Sequence, residues 1–464
     1  MTSVAPKAIP GIREWPLLGS ALDLRRDLLG VYARVVRECG DIGSFHLGPL
    51  RAVLVNAPDL IQSLLIDHAQ DYDKGIYQHR AFEPMVGKGL IISEGEFHKR
   101  QRKLMAPLFQ PRHVSDYADT IVARTRRNQA TWSDNHTFNL ATAMTHLTMG
   151  VVGQVLLSTE VSTEADELGA AVTVALQWAN YTLTSLFPLP LWVPTARNRC
   201  ARRARAVLRR RVSAMIAERR VSQEHPADLL SLLLFAHDEH GHGMDDEQLR
   251  DEILTAFVAG HETGASALTW SCYLLAREPE IYDALQSEVD VVLGGRPATA
   301  ADLPRLPFTL QVFKEAMRLY PPVAAVLRVA RRDTELDGYF IRKGTVVMLS
   351  QYILHRRPDV FPDPERFDPL RFAPERELQL PRYAYLPFGT GHRTCIGSHL
   401  ALVEGQLVLA TLAQHVRFEL VDMRPAVPEF VITLRPRGGV AVRVRRRSVP
   451  VDSSRRGSAP RPAP

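Results

Sequence analysis

Cysteine is scarce in this chain. Four stand in 464 residues, Cys39, Cys200, Cys272 and Cys395, far apart and in no paired spacing. That argues against a disulfide framework and for a reducing compartment. Without a C-x-x-C or C…H cluster, structural zinc is disfavoured as well. A long apolar run is also missing. The opening MTSVAPKAIPGIREWPLLG has no signal-peptide core, and no window is expected to reach the ~18 apolar residues of a membrane span. A cytoplasmic protein without a membrane anchor is expected. There is no internal repeat and no alternating β-α pattern, which removes a parallel α/β sheet.

Charge of one sign is nearly absent from the body. Residues 443–464 hold seven arginines against the single acid Asp452, a surplus equal to the chain's whole +6. The excess therefore marks no nucleic-acid surface. The Arg/Ser/Pro-rich stretch 445–464 is expected to be a disordered tail. What remains, 45% hydrophobic and 23% charged, has the composition of an ordinary globular protein.

The patterning predicts a mainly α fold with small β-sheets, in a single catalytic domain over 1–444. Short strands are predicted at about 40–60, turning at Gly48-Pro49. The bulk from 95 to 320 reads as long amphipathic helices. In 201–220, for example, Leu208, Val212, Met215 and Ile216 form one apolar stripe among arginines. Two hairpins are expected, 333–350 turning at Arg342-Lys343-Gly344 and 430–444 turning at Pro436-Arg437-Gly438-Gly439. The Pro-rich stretch 358–374 is incompatible with a helix and reads as an ordered, functional loop.

Three segments carry chemistry. In Phe388-Gly389-Thr390-Gly391-His392-Arg393-Thr394-Cys395-Ile396-Gly397, three glycines let the backbone turn tightly and approach a flat ligand. Cys395 ends that loop ahead of an apolar helical run, so helix N–H groups and Arg393 would favour its thiolate. In ILTAFVAGHETGASALTW, the small residues Ala256, Ala259, Gly260, Thr263 and Ala267 share one helix face. Burying Glu262 and Thr263 there has a cost that plain packing would not incur. Third, Glu315 and Arg318 are spaced to pair on one helix, ahead of Pro321-Pro322.

The first of these segments resembles the signature of the cytochromes P450, F-G-x-G-x-R-x-C-x-G. The resemblance runs over about 10–444. It implies a triangular prism of long helices around a buried haem b whose iron is ligated by Cys395. Phe388, Gly389 and Gly397 would shape the haem loop and Arg393 would reach a propionate. A thiolate ligand favours O–O cleavage. The second segment is similar to the family's oxygen-activating stretch, which gives Gly260, Glu262 and Thr263 catalytic parts. Gly260 and Thr263 would open the helix ladder, Glu262 would feed protons, and Thr263 would hold a water beside the oxygen being reduced. Gly264 departs from the Thr or Ser common there.

Glu315, Arg318 and Arg371 (of Pro369-Leu370-Arg371-Phe372) match the family's buried structural triad. Arg102, Arg328 and His98 would join Arg393 on the two propionates, with His98 standing where the family usually has tryptophan. The implied function is an O2-dependent monooxygenase acting by hydroxylation or epoxidation on an apolar molecule such as a terpenoid, fatty acyl chain or polyketide. NAD(P)H electrons would arrive through a ferredoxin and its reductase, to a monomer. A peroxide-driven relative or a haem sensor would have no use for the Glu262-Thr263 pair. The substrate pocket is expected between Ala259, a loop at 75–92 and the residues after Pro322, with 178–194 as a greasy entrance. Lys99, Arg100 and Lys103 are expected to form an exposed cationic edge for ferredoxin. His237, His240 and His242 are read as a flexible solvated loop.

Overall fold

A computed structural model describes residues 7–16, 18–48, 50–159, 167–185, 187–223, 226 and 228–447. Eight helices matter most to the site and its supporting core: α1 (Gly75–Val86), α2 (Gly95–Met105), α3 (Leu140–Leu157), α4 (Glu167–Thr184), α5 (Ala196–Val221), α6 (Asp246–Arg277), α7 (Pro307–Leu319) and α8 (Ser398–His415). The longest, α6, runs through the middle. Asp245 caps its first turn by accepting from the Gln248 N–H at 2.8 Å, and Asp246 and Glu247 complement the dipole there. Its C-terminal half buries Leu268, Trp270, Cys272 and Leu275 in the main core, against α3, α7 and α8. In α5 the predicted stripe is borne out, with Leu208, Val212 and Ile216 buried and Met215 half-buried.

The strands form small sheets. β1 (Ile42–Leu47) and β2 (Leu50–Val55) pair antiparallel around Gly48, which takes a φ of +61°, while Pro49 lies outside the described residues. They belong to a five-stranded sheet, β1-β2-β8-β5-β3, completed by β3 (Tyr72–Asp73), β5 (Val326–Ala330) and β8 (Val346–Leu349). In it β8 lies parallel to β2 with Ala52 opposite Val346. β4 (Thr137–Asn139), β12 (Ala441–Arg446) and β9 (Val416–Leu420) make a second sheet.

Several expectations need correction. The first hairpin joins β6 (Thr334–Leu336) to β7 (Tyr339–Ile341) at Asp337-Gly338, both left-handed at φ +50° and +82°. Two consecutive positive φ values twist a two-residue turn to match paired strands. The Arg342-Lys343-Gly344 turn instead hands the chain to β8. The second hairpin joins β10 (Pro428–Phe430) to β11 (Leu434–Pro436). Gly438 and Gly439, at φ +74° and +79°, then divert the chain to β12 in another sheet.

Arg445 and Arg446, expected in the tail, are strand residues. The Arg446 guanidinium donates to the Trp132 carbonyl at 2.6 and 3.0 Å, and Arg447 pairs with Asp290 at 2.6 Å. Residues 448–464 lie outside the described residues. The stretch at 75–92 is largely helix, since α1 fills Gly75–Val86. The first part of 178–194 likewise belongs to α4, with a loop after Thr184 in which Phe187 and Trp192 are exposed. Finally, α3 is long and apolar enough to cross a membrane by length and composition, contrary to the window expectation. It packs along α6, with Met144, Leu147, Met149 and Val151 buried in the main core.

Candidate active site

The haem-loop motif folds as its glycines require. Gly389 and Gly391 take φ of +68° and +73°, and a Cβ on Gly391 would stand 2.5 Å from the Leu65 carbonyl. The Cys395 N–H donates back to the Phe388 carbonyl at 2.9 Å, closing the loop. Cys395 opens onto a cavity of about 1140 Å³ between the loop and α6. Gly397, the residue before α8, aims its N–H at the cysteine sulfur and draws the thiol pKa down against the larger, raising effect of burial. The nearby cation acting on that sulfur is Arg102, not Arg393.

Arg393 lies elsewhere because Glu94 engages it in an ion pair. The Glu94 carboxylate also accepts from the Lys74 N–H at 2.9 Å. Around this one acid gather Lys74, His98, Arg102, Arg328 and Arg393, all lining the cavity. Burial, then repulsion from Arg328 and Arg393, pushes the Lys74 ammonium down to about 7. Burial, then Arg393, pushes Arg328 down to about 10. His98 is pushed down to about 3, by burial first and then by Arg393 and His392. A buried Arg393 Nη1 has no partner. Such crowding of like charge is relieved by loss of protons from Lys74 and His98 or by an anion joining it.

That observation tests the implied cofactor. A group with two carboxylates at one edge would neutralise the cluster, and Cys395 supplies the cavity's one thiol among the described residues. The cavity exceeds the roughly 300–1,000 Å³ of a single small-ligand pocket, leaving room for a flat cofactor and a substrate together. The residues fit haem.

From the other side, α6 presents Ala256, Ala259, Gly260, Thr263 and Ala267 to the cavity. The expected opening of its ladder is not found, as the helix is unbroken from Asp246 to Arg277. Instead the Thr263 hydroxyl donates to the Ala259 carbonyl at 2.6 Å, giving that acceptor a second donor. Glu262 accepts from the Thr433 hydroxyl at 3.1 Å through Oε1, while Oε2 is buried without a partner, and burial raises its pKa. Sequence reasoning missed Lys74, Glu94, Thr433 and Glu404. The last is a buried acid on α8, pushed up to about 8 by burial, that also lines the cavity. A Cβ at Gly264 would lie 3.8 Å from its carboxylate, so the departure from Thr or Ser keeps that space open.

Glu315 and Arg318 form a buried bidentate pair at 2.7 and 2.8 Å, with Arg371 at 3.3 Å from the same carboxylate. Arg318 also donates to the carbonyls of His355 and Pro364 at 2.9 and 2.8 Å. The expected cationic edge on α2 is not free. Lys99 pairs with Glu96, Arg100 with Asp238 and Lys103 with Glu239, at 2.6 to 2.8 Å. The histidine loop at 237–243 is exposed as read, yet anchored, because Asp238 accepts from Arg100 and from the N–H groups of His240 and His242. No metal-ligating group is found among the described residues there.

A cavity that sets one thiol opposite a helix of small residues, beside cations short of an anion, defines the class of proteins that hold a flat, dianionic metal cofactor through a thiolate. The chain belongs to the cytochrome P450 family, whose model matches residues 9–441. It is 37% identical to cyclooctat-9-en-7-ol 5-monooxygenase of Streptomyces melanosporofaciens, over 90% of each chain. It is 32% identical to pentalenene oxygenase of Streptomyces avermitilis, over 92% of this chain and 94% of that one. The solved structure of retinoic acid bound cyanobacterial CYP120A1 superposes with a TM-score of 0.85 at 25% identity, covering 95% of this chain and all of that one. The protein is thus a cytochrome P450 monooxygenase, and its family carries haem and uses O2.

Proposed function

We propose that this enzyme inserts one atom of O2 into a largely hydrocarbon, terpenoid substrate. Two electrons would come from NAD(P)H through a separate ferredoxin and reductase, and the second oxygen atom leaves as water. The carrying observation is that Cys395 and Thr263 line one cavity whose remaining wall is mostly apolar, including Phe82, Leu90, Val326 and Phe430. The named substrates of two relatives, cyclooctat-9-en-7-ol and pentalenene, are of that character.

Cys395 would hold the haem iron and Lys74, His98, Arg102, Arg328 and Arg393 would receive its propionates, and the group would supply oxygen activation when bound. The chain supplies position and protons. Thr263 commits its hydroxyl proton to the Ala259 carbonyl, so its oxygen lone pairs are left to order a water in the cavity. Glu262, whose pKa burial raises and whose Oε2 is left without a partner, is the acid beside the cavity suited to pass a proton toward that water. Small side chains at Ala259 and Gly260 leave the space, and the apolar wall excludes bulk water. A peroxide-driven reaction would need no such acid. With 18O2, the reductase pair and NAD(P)H, one labelled atom should enter the product; label arriving from H2 18O instead would overturn the reading.

A further inference from the structure

The body of the chain is neutral overall, yet residues 168–217 hold eight arginines and no acid. Four of them, Arg197, Arg199, Arg202 and Arg203, fall in the first two turns of α5. None of the four meets a carboxylate among the described residues. Arg197 and Arg199 even stand in the first turn, where the helix dipole favours acids. Arg199 and Arg202 donate instead to the carbonyls of Pro194 and Trp192, at 2.8 and 3.0 Å, and so tie α5 to the loop before it. Arg197 lies over the Tyr181 ring of α4 at 3.9 Å.

That loop is held in shape and still leaves its largest side chains outside. Phe187 is 84% exposed and Trp192 76%, with Leu189 exposed between them in sequence. The buried Asn198 fixes the backbone, donating from its amide to the carbonyls of Pro190 and Val193 at 2.8 and 2.9 Å. Asn198 is itself fixed, because its oxygen accepts from the Trp178 indole at 2.8 Å. Pro188, Pro190 and Pro194 each lock a φ angle as well. Large apolar groups held out on such a frame are unfavourable in water until something covers them, and they mark an interaction site.

The chemistry of the cover follows from its neighbours. Tryptophan settles where headgroups meet acyl chains, and arginines beside it attract anionic headgroups. A protein footprint would call for polar groups of both signs around the aromatics, whereas cations alone stand here. We propose that the 187–192 loop and the first two turns of α5 dock on an anionic lipid bilayer. The contact is peripheral and reversible, made by side chains at headgroup level. Leu183, Ser185 and Pro188 of the same region line the cavity. Docking therefore brings the cavity wall to the bilayer, where a largely hydrocarbon substrate collects; that consequence rests on the proposed function.

The test is co-sedimentation of the haem-loaded enzyme with phosphatidylcholine vesicles, with and without phosphatidylglycerol. Binding to the anionic vesicles should be about tenfold tighter than to the neutral ones, and salt should weaken it. Phe187→Ser/Trp192→Ser and Arg199→Glu/Arg203→Glu should each lower it about tenfold, with the carbon monoxide spectrum unchanged as proof of an intact haem site. Binding that survives both double variants would belong to the arginines after 443 and would overturn the proposal. A parent enzyme that ignores anionic vesicles, or that buries the loop against a second copy of itself instead, would overturn it too. Vesicle binding without 18O incorporation would contradict the proposed reaction and leave the docking standing. Incorporation with no vesicle binding would do the opposite.

Discussion

His355 accepts a hydrogen bond from the backbone N–H of Leu386 at 2.8 Å, through a ring nitrogen, in a fully buried site. The same residue's carbonyl accepts from Arg318, which is clamped by Glu315. A continuous path therefore runs from the buried ion pair to the segment that enters the Cys395 loop two residues later. Burial, then Arg318 and Arg356, pushes the His355 pKa down to about 3, so the ring stays neutral and able to accept.

Replacing that acceptor should loosen the loop without touching the cavity. His355→Leu orphans the Leu386 N–H and should cost about 1–3 kcal/mol of stability. Thermal unfolding of the holoprotein checks this, together with faster haem loss than in the parent.

The same histidine sets a pH dependence. His355 at about 3 and His261 at about 4 both lie below their ordinary value of 6.5. At these two sites the unfolded chain binds more protons than the folded one, so the stability each contributes is lost as pH drops from about 6.5 toward those values, opposite in sign to the buried acid Glu404 at about 8. Each histidine contributes about 1 kcal/mol per pH unit within its window. Denaturant titrations at pH 7 and pH 5 check this by difference: the stability change from pH 7 to pH 5 should be less unfavourable in His261→Gln than in the parent.

Lys74 gives a prediction that the sequence alone did not offer. Lys74→Met removes one cation of the cluster awaiting an anion, and haem transfer to apomyoglobin should quicken about tenfold. An unchanged transfer rate would remove Lys74 from the propionate site.

For Thr263→Ala, NAD(P)H consumption should persist while product falls and hydrogen peroxide rises, because the lost hydroxyl no longer orders a water for proton delivery. The ratio of product to NAD(P)H, measured beside peroxide, decides it. An unaltered ratio would exclude Thr263 from the chemistry.

What could be read in the sequence was what lies close together in it. The haem loop, the Ala259–Gly264 segment and the Glu315–Arg318 pair each fit within ten residues, and backbone geometry alone brings their parts together. Lys74 and Glu94 escaped notice because they meet Arg393 only through the fold. The cationic reading of Lys103 failed for the same reason, since its partner Glu239 is 136 residues away. The hairpins were placed on the wrong turns because several glycine turns compete locally, and Asp337-Gly338 wins through pairing that only the folded sheet decides.

The bond between Cys395 and iron is the assignment on which the others depend. Carbon monoxide added to the reduced holoprotein should give the strongly red-shifted band of a thiolate-ligated haem, and Cys395→Ser should abolish it in a protein that still folds. A band at the position of an imidazole-ligated haem, or a red-shifted band that survives the substitution, would contradict thiolate ligation by Cys395.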